Sequence, residues 1–328
     1  MTNITHLKGK IFTLGSESFE SIAIELFRYH AKHNSIYKKY IEGINIQPDM
    51  VKNSASIPFL PIELFKKHKI TIKNTKSELI FESSGTTGMQ PSRHFVADEE
   101  IYKRSILETF RLFYGEPKDF IFFALLPSYL ERSHSSLVYM VNYLRNLSQC
   151  NEGGFYLYDH KTLSENLLNA KHGSRKIFLI GVSFALLDFA ESFPTDLSNA
   201  VVMETGGMKG RKEELIKEEL HQILCRQFNL QAIHSEYSMT ELLSQAYSKK
   251  SGIFSVPPWM KILIREPNDP FTMCEKGQAG GINIIDFANI YSCPFIATQD
   301  LGRITEDGSF EVMGRFDNSD IRGCSLLY

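Results

Sequence analysis

The chain has 328 residues, of which 43% are hydrophobic and 23% are charged, and these shares are typical of proteins that bury a folded core. They exclude intrinsic disorder and collagen-like structure, while the length allows one large domain or two small ones. The formal net charge is −2, because 36 Lys and Arg oppose 38 Asp and Glu, so the charge gives no reason to expect nucleic-acid binding.

Targeting signals and paired cysteines are not apparent in the sequence. The first residues, MTNITHLKGKIF, lack the apolar segment and the cleavage site of a signal peptide. No apolar run reaches the roughly 18 residues that a membrane span needs. The five cysteines are scattered and show no CxxC spacing, which argues against disulfides and a zinc site. We therefore expect a reduced, soluble and cytoplasmic protein with no membrane span.

The first third of the chain predicts a helix, a proline-rich turn and a strand. Apolar residues recur at helical spacing within residues 15–40, where Ser16 or Ser18 is the candidate cap. The prolines of Ile57–Pro61 cannot continue a helix and predict an extended turn. Further along, the pattern predicts a strand at Leu79–Glu82, a helix over 98–114 and a strand at Phe120–Leu126.

The rest of the chain alternates helices and strands and then becomes rich in strands. The predicted helices are 137–147, 163–170 and 210–228, and the predicted buried strands are 176–182 and 200–204. After residue 250, short strands are predicted at 261–265, 281–286, 295–298 and 309–312, separated by Pro, Gly and Asn. This order predicts an α/β domain with a smaller β-rich part.

The most informative segment is SSGTTGMQPS, which runs from Ser83 to Ser92 and follows the first predicted strand. Four hydroxyls and two glycines stand within its first six residues. Glycines let a backbone approach an anion closely, while N–H groups and hydroxyls donate to its oxygens. The segment therefore fits a pyrophosphate cradle, although it lacks the spacing of a Walker A loop. A plain Ser/Gly turn is the alternative.

This segment resembles the phosphate loop of the adenylate-forming superfamily, which reads SSGTTGxPK. Pro91 matches, whereas Ser92 and Arg93 stand where the usual lysine is found. The resemblance implies that the charge contributed by that lysine falls to Arg93, although Arg and Lys differ in reach and geometry. The residues that it implies for binding the phosphates of ATP are Ser83, Ser84, Gly85, Thr86, Thr87 and Gly88.

A second segment, SEYSMTE at residues 235–241, resembles the YGxTE motif of the same superfamily. The resemblance implies that Tyr237 stacks on adenine, that Thr240 contacts the α-phosphate and that Glu241 helps to hold Mg²⁺. One carboxylate combined with phosphate oxygens is the kind of ligand set that Mg²⁺ prefers. The alternative for Glu241 is a residue that starts a helix on a solvated face.

Two further segments complete the superfamily pattern in the same order along the chain. TQDLGR at residues 298–303 resembles TGDLGR, in which the aspartate grips the ribose hydroxyls, so this role is implied for Asp300. A hairpin turn at residues 300–302 is the alternative. GRFD, which starts at Gly314, resembles GRxDD, in which the arginine reaches the nucleotide, and this role is implied for Arg315. The resemblance thus predicts an ATP- and Mg²⁺-dependent enzyme that forms acyl-adenylates.

Three stretches are similar to one branch of the superfamily, the acyl-protein synthetase (LuxE-type) family of bacterial fatty acid reductase complexes. They are LPSYLER at 126–132, ETGGMKGR at 204–211 and SEYSMTELLSQAYS at 235–248. The resemblance implies a fatty or other carboxylic acid as the substrate and places Gly206 and Gly207 at the nucleotide. It further implies that the acyl group passes to a cysteine of the same chain and then to a reductase or another acceptor protein.

Cys324 is the candidate for that cysteine, since it lies in DIRGCS near the C-terminus. The neighbouring Arg322 favours its thiolate form, which is the nucleophilic form of a thiol. A lone cysteine that packs as a small hydrophobe is the alternative. The other four cysteines are expected to be buried in helices or strands.

Two histidines are also candidates for the site. His134 stands among serines, where relatives place a residue that guards the acyl pocket, and the alternative is a neighbour of a helix cap. His234 precedes the segment implied for adenine, and the alternative is a hydrogen-bonded polar residue without a catalytic role.

The resemblance implies the large N-terminal domain of adenylate-forming enzymes, in which β-sheets are layered with helices beside a β-rich subdomain. The small C-terminal domain and its catalytic lysine are expected to be missing. The predicted boundaries are 1–56 for a helical segment packed on the core, 57–313 for the large domain and 314–328 for a hinge-like tail with Cys324. Two alternatives to self-acylation remain: a CoA ligase of the phenylacetate-CoA ligase type, and a non-catalytic nucleotide-binding subunit.

Overall fold

A computed structural model describes residues 4–13, 18–83, 90–126, 134–206 and 215–316, and contacts within the chain divide it into two units. Unit 1 comprises the described parts of Met1–Ile101, Glu241–Ser244 and Ser255–Tyr328. Unit 2 comprises those of Tyr102–Thr240 and Gln245–Phe254. The domain boundaries predicted at residues 56 and 313 stay a prediction.

Unit 1 begins with three helices, α1 (Ile4–Lys10), α2 (Phe19–His33) and α3 (Ser35–Gly43). The helix predicted over residues 15–40 is divided at Asn34, which adopts an extended backbone conformation. The Asn34 side chain accepts a hydrogen bond from the Tyr37 backbone N–H at 3.1 Å, so it caps α3. Its Nδ2 donates to the Ser292 carbonyl at 2.7 Å, which ties this helical region to the β-rich part of unit 1.

The chain of unit 1 continues through β1 (Leu60–Pro61), α4 (Leu64–Lys67), β2 (Leu79–Glu82) and β3 (Arg93–Val96). Strands β2 and β3 form an antiparallel hairpin that pairs Leu79 with Val96 and Glu82 with Arg93. The two ends of the SSGTTGMQPS segment, Ser83 and Ser92, thus directly follow β2 and directly precede β3. Helix α5 (Glu99–Tyr114) then leads into unit 2.

Unit 2 alternates strands and helices along the chain, as the sequence pattern predicts. In order they are β4 (Phe120–Leu125), α6 (Ser136–Ser148), β5 (Gly154–Tyr156), α7 (His160–Ala170), β6 (Lys176–Val182), α8 (Ser183–Ser192), β7 (Val201–Thr205), α9 (Lys217–Phe228), β8 (His234–Tyr237), β9 (Ala246–Ser248) and β10 (Ile253–Phe254).

Strands β4 to β9 of unit 2 form a sheet in the order β5-β4-β6-β7-β8-β9, in which β9 is antiparallel to β8 and the other pairs are parallel. Strand β4 (FIFFAL) is buried throughout, and so is β6 (KIFLIGV) after its first residue. Continuous apolar runs of this kind are typical of parallel strands covered on both faces. The carboxyl ends of β7 and β8, which carry two of the sequence motifs, therefore lie side by side.

The β-rich part of unit 1 contains β11 (Met260–Arg265), β12 (Gly280–Asp286), β13 (Phe295–Ile304) and β14 (Phe310–Arg315). These strands pair antiparallel in chain order, and β1 adds to β13 in parallel. Strand β13 extends well beyond the predicted 295–298 and contains the whole TQDLGR motif. The α/β architecture with a β-rich part is therefore confirmed.

The elements that the sequence did not predict include α1, β3, β5, α8, β8, β9 and β10. Helix α8 (SFALLDFAES) is buried on nearly all sides, so it lacks the apolar stripe that identifies a surface helix. Short 3-10 turns lie at Ile11–Thr13, Pro48–Met50, Ser54–Ser56, Pro117–Asp119 and Phe287–Asn289. Within the described ranges, no helix has the length and apolar character that a membrane span requires.

Candidate active site

The SSGTTGMQPS segment starts and ends at two serines, Ser83 and Ser92, that close the β2–β3 hairpin. The Ser83 backbone N–H donates to the Ser92 carbonyl at 3.0 Å, and the Ser92 N–H donates to the Ser83 hydroxyl at 2.9 Å. Both ends of the segment are thus held together in unit 1. The other predicted phosphate-binding residues, Ser84, Gly85, Thr86, Thr87 and Gly88, lie outside the described residues.

Ser92 and Arg93, which stand where relatives carry a lysine, differ in environment. Ser92 is buried, and its hydroxyl hydrogen bonds to the Glu241 carboxylate. Arg93 is exposed, and its guanidinium carbon lies 5.9 Å from the centroid of the Phe95 ring. The catalytic role of Arg93 stays a prediction, whereas Ser92 is a contact of Glu241 that the motif did not predict.

Glu241 is buried, with 5% of its surface exposed, and it lies in no helix. The alternative that it starts a helix on a solvated face is therefore wrong. Burial raises the pKa of its carboxyl group, and this effect outweighs the opposing effects of the Ser92 hydrogen bond and the positive charges of Arg315 and Lys66. A cation beside a buried carboxylate of this kind stabilises its ionised form.

Asp300 and Arg315 come from separate motifs and meet across two neighbouring strands. They are direct partners in the β13–β14 register, and Arg315 Nε lies 3.0 Å from Asp300 Oδ1. The Thr298 hydroxyl accepts from the Asp300 backbone N–H at 3.1 Å and donates to the Ile282 carbonyl at 2.9 Å, which fixes the Asp300 backbone. Because residues 300–302 lie within β13, the alternative of a hairpin turn there is wrong.

Gly302 of the TQDLGR motif lies in β13 at a position that leaves no room for a side chain. A Cβ at this position would lie 2.3 Å from the Glu311 carbonyl oxygen and 2.8 Å from the Ile282 side chain. The register between the two strands shifts at Leu301 and Gly302, directly beside the Asp300–Arg315 pair. The glycine therefore permits the close strand pairing that sets this pair.

We expect Gly302→Ala to lower the free energy of unfolding by about 1–3 kcal/mol, because the β13 backbone must move away from the Glu311 carbonyl. Gly43→Ala is the matched control, since a Cβ at Gly43 meets nothing within 4 Å. Urea unfolding measures both variants. A Gly302→Ala protein as stable as Gly43→Ala would contradict the packing argument.

In unit 2, the ETGG and SEYSMTE motifs lie side by side at the carboxyl ends of β7 and β8. Thr205 is the register partner of Glu236, and its hydroxyl donates to Glu236 Oε2 at 2.5 Å. Gly206 and Tyr237 directly follow these two residues, and Gly206 has a φ of +72°, which favours glycine. Ligands commonly bind at the carboxyl ends of parallel strands. Gly207 lies outside the described residues.

Tyr237 and Thr240 follow Glu236 in the same segment. Tyr237 is mostly buried, and its ring centroid lies 5.9 Å from that of Phe254. Thr240 is partly exposed in the turn that follows β8. Burial raises the pKa of Glu236, despite hydrogen bonds from Ser238 and Thr205. The implied contacts of Tyr237 and Thr240 with ATP stay predictions.

A second buried carboxylate, Glu204, anchors the strand that leads to Gly206. Lys217 Nζ lies 2.9 Å from Glu204 Oε1, and His221 Nε2 lies 3.5 Å from the same oxygen. The Ser183 hydroxyl donates to Glu204 Oε2 at 3.0 Å and to the Gly206 carbonyl at 2.8 Å. Burial opposes the charge of Glu204, but these partners outweigh it and hold its pKa at about 2. An acidic residue in an apolar strand (VVMET) was the sequence signal for this cluster.

The two histidines differ in environment. His134 is exposed and directly precedes Ser135, whose hydroxyl caps α6 by accepting from the Val138 N–H at 3.3 Å. His234 is half-buried, and its Nδ1 lies 3.1 Å from the Tyr114 hydroxyl. Burial and the charge of Lys249 lower the pKa of His234 to about 4, so its ring is neutral at pH 7. The contacts fit a cap neighbour and a hydrogen-bonded polar residue.

The four described cysteines are free thiols, and burial raises the pKa of three of them, which lowers their reactivity. Burial raises the pKa of Cys293 to about 12, raises that of Cys274 to about 11 together with Glu266, and raises that of Cys225. The prediction that all four are buried in helices or strands is wrong, because only Cys225 lies in a helix and only Cys293 is buried. Cys324 lies outside the described residues.

The described residues fit a magnesium ion that arrives with a nucleotide. Among them, no group of three or more His, Cys, Asp or Glu side chains forms a metal cage. Mg²⁺ is commonly held by one or two carboxylates plus phosphate oxygens and waters. The buried Glu241 carboxylate, whose ionised form needs a neighbouring positive charge, matches that arrangement.

Sequence comparisons agree with the motifs. The family model described as acyl-protein synthetase, LuxE, matches residues 15–110. The chain is also 22% identical to the long-chain-fatty-acid–luciferin-component ligase of Vibrio harveyi over 329 aligned positions, which cover 92% of this chain and 84% of the relative.

Structure comparisons identify the fold. ATP-bound MatB from Rhodopseudomonas palustris matches with a TM-score of 0.56 and 17% identity, covering 74% of this chain and 49% of MatB. The chain thus spans about half the length of MatB. 2-Hydroxyisobutyryl-CoA ligase, in complex with 2-HIB-AMP and CoA, matches with a TM-score of 0.68 and 12% identity over 94% of this chain and 78% of the ligase. The chain therefore shares its fold with these two proteins, and the resemblance to acyl-protein synthetases inferred from the motifs is confirmed by the family match to residues 15–110.

Proposed function

We propose that the protein activates a carboxylic acid, in particular a fatty acid, by forming an acyl-adenylate from ATP, and then transfers the acyl group to its own Cys324. One observation carries this proposal. Glu241, Asp300 and Arg315 come from three separate motifs, yet Arg315 pairs with Asp300 at 3.0 Å and its charge also acts on Glu241. Arg315 thus acts on both Asp300 and Glu241 within unit 1, and the superfamily pattern assigns all three residues to the nucleotide or its metal.

Adenylation requires a charged nucleotide to be oriented and its leaving group to be stabilised. A carboxylate oxygen of the acid attacks the α-phosphorus, and the bond from that phosphorus to the bridging oxygen of pyrophosphate breaks. Asp300 accepts hydrogen bonds from the ribose hydroxyls, and Arg315 approaches the nucleotide. The resemblance assigns adenine stacking to Tyr237 and a contact with the α-phosphate to Thr240. Bound Mg²⁺, held by Glu241, would supply positive charge for the pyrophosphate oxygens.

Acyl transfer is the second half-reaction. The Cys324 thiolate attacks the acyl carbonyl carbon, the bond from that carbon to the phosphate oxygen breaks, and AMP leaves. The raised pKa values of Cys225, Cys274 and Cys293 favour another thiol as the nucleophile. The Vibrio harveyi relative, which is named as a long-chain-fatty-acid ligase, supports a fatty acid substrate here. An acyl-accepting protein such as a reductase is the proposed partner.

A second candidate function is transfer of the acyl group to coenzyme A. It is favoured by the fold match to 2-hydroxyisobutyryl-CoA ligase, whose structure holds 2-HIB-AMP and CoA. In that case the product is a free acyl-CoA and the protein carries no thioester. Both candidates share the adenylation step, so the identity of the acceptor is a separate experimental question.

Exchange of radioactive pyrophosphate into ATP tests the adenylation step. We expect exchange only when a carboxylic acid is present, and a panel of acids of increasing chain length identifies the preferred substrate. Binding of ATP without exchange for any acid would contradict the proposal and favour a non-catalytic nucleotide-binding subunit.

We expect Asp300→Ala to weaken the binding of α,β-methylene-ATP roughly tenfold to a hundredfold, because a lost hydrogen bond to a charged group costs about 1.5–3 kcal/mol. Glu311→Gln is the matched control. Glu311 lies on the same strand pair and forms an ion pair with Arg303 at 2.7 Å, but no motif assigns it to ATP. Isothermal titration measures both variants, and unchanged affinity in Asp300→Ala would exclude the ribose contact.

A further inference from the structure

We propose that Asp286 and Asn289 are positioning residues that fix the backbone around Glu241 so that its carboxylate holds the metal–nucleotide complex. This inference rests on the proposed function. Asp286 is the last residue of β12, and Asn289 lies in the turn at 287–292 that joins β12 to β13 in unit 1. No motif of the sequence assigns them a role.

Asn289 acts directly on Glu241. Its side-chain Nδ2 donates to the Glu241 backbone carbonyl at 2.8 Å, and both residues are buried. The other side-chain atom, Oδ1, is buried and has no hydrogen-bond partner among the described residues. A buried amide oxygen without a partner lowers stability. An apolar side chain would avoid that loss, so the bond to Glu241 is what the amide contributes at this position.

Asp286 holds the two residues that lie just beyond Glu241. Its Oδ2 accepts from the backbone N–H groups of Leu243 and Ser244, each at 3.0 Å, and its Oδ1 accepts from the Ser244 hydroxyl at 2.6 Å. The indole N–H of Trp259 donates to the same hydroxyl at 2.9 Å. Asp286 is completely buried, so these bonds are not exchanged with water. Together with Asn289 they fix the main chain at residues 241, 243 and 244.

The same turn also contacts the hairpin that bears the predicted phosphate loop. His94 Nε2 of β3 lies 2.9 Å from the Ser292 hydroxyl, and the Ser292 N–H donates to the Asn289 carbonyl at 2.9 Å. Ser92, two residues before His94, hydrogen bonds to the Glu241 carboxylate. The turn therefore sets both the backbone of Glu241 and the strand whose serine contacts its side chain.

This arrangement predicts an effect on metal binding that a purely structural role does not. A metal-binding carboxylate must sit within a few tenths of an ångström of its working position, and loss of its supporting partners commonly weakens metal binding 10- to 100-fold. A residue that only stabilised the fold would change the unfolding transition and leave the metal affinity of the folded protein unchanged.

Mn²⁺, which is visible by electron paramagnetic resonance, is the probe for this site, with α,β-methylene-ATP as the nucleotide. Asn289→Asp keeps the shape of the side chain but replaces the donor to Glu241 with an acceptor. We expect Mn²⁺ affinity to fall at least tenfold, and the Mg²⁺ concentration needed for pyrophosphate exchange to rise in parallel. Asn289→Ala, which also removes the unpartnered oxygen, should show the same loss of Mn²⁺ affinity. It replaces Asn289→Asp in the test if that variant folds poorly.

Tyr37→Phe is the control, because Tyr37 is equally buried in unit 1 and its hydroxyl donates to a carbonyl outside this turn, that of Pro58, at 2.6 Å. It should lose stability while keeping wild-type Mn²⁺ affinity. Wild-type affinity in both Asn289 variants would overturn the inference, and so would a wild-type protein that binds no Mn²⁺ with the nucleotide. Acid-dependent pyrophosphate exchange of the wild type, measured in parallel, reports on the proposed function independently.

Discussion

Replacement of Cys324 by serine is expected to abolish covalent labelling of the protein by radioactive fatty acid while leaving acid-dependent pyrophosphate exchange intact. The two half-reactions use different groups, and neither the SSGTTG segment nor Glu241 is altered. A serine hydroxyl has a pKa far above 7 and is a poor nucleophile without an adjacent base. Labelling in the presence of ATP, followed by gel electrophoresis, measures the loss.

Cys274→Ser and Cys225→Ser are the controls for this result. The pKa of each of these thiols is raised, so neither supplies much thiolate, and both variants should be labelled like the wild type. The wild-type label should be released by neutral hydroxylamine, as thioesters are, and should map to the C-terminal peptide. A wild type that forms acyl-CoA without a protein-bound label would exclude self-acylation and favour the CoA ligase.

Glu241→Gln is expected to reduce acid-dependent pyrophosphate exchange by about 10²–10³-fold at fixed Mg²⁺, because the charge that holds the metal is lost. Glutamine keeps the size of the side chain and still accepts the Ser92 hydrogen bond. Burial raises the pKa of Glu241, so its ionisation at neutral pH costs folding free energy that a neutral glutamine does not cost.

The variant should therefore unfold at the same or a higher denaturant concentration than the wild type at pH 7. Below the ordinary pKa of glutamate the two proteins should converge in stability, because the wild-type carboxyl group is then neutral as well. Urea unfolding at both pH values, together with the exchange assay, separates the two effects. Full exchange activity in Glu241→Gln would remove this carboxylate from the mechanism.

The pattern of apolar residues predicted the elements that are buried along an uninterrupted run of the sequence. Strand β6 was found at its predicted residues, 176–182, because it is an uninterrupted apolar run between turns. The helix expected over 15–40 was wrong at Asn34, since a buried hydrogen bond to Ser292, a residue distant in sequence, decides the backbone there. Strand β13 was predicted too short because its second half pairs with β14 and alternates buried and partly exposed positions.

The motifs named candidate residues, but their partners depend on contacts that only the fold creates. The pairing of Asp300 with Arg315 follows from the β13–β14 register, which a shift at Leu301 and Gly302 sets. The contacts of Ser92 and Asn289 with Glu241 join residues far apart in the chain, and no local pattern marks them. The buried Glu204 was visible as an acid after the apolar run 201–203, although its role was not, and no such run marks Glu236.

The central claim, that the acid is activated at its carboxylate by the α-phosphate of ATP, is tested most directly with a fatty acid that carries ¹⁸O in both carboxyl oxygens. Formation of the acyl-adenylate followed by attack of a thiol on its carbonyl carbon must leave one carboxyl oxygen on AMP. Mass spectrometry of the products should therefore find AMP with one ¹⁸O and pyrophosphate with none. Unlabelled AMP, or ¹⁸O in orthophosphate formed together with ADP, would contradict the claim.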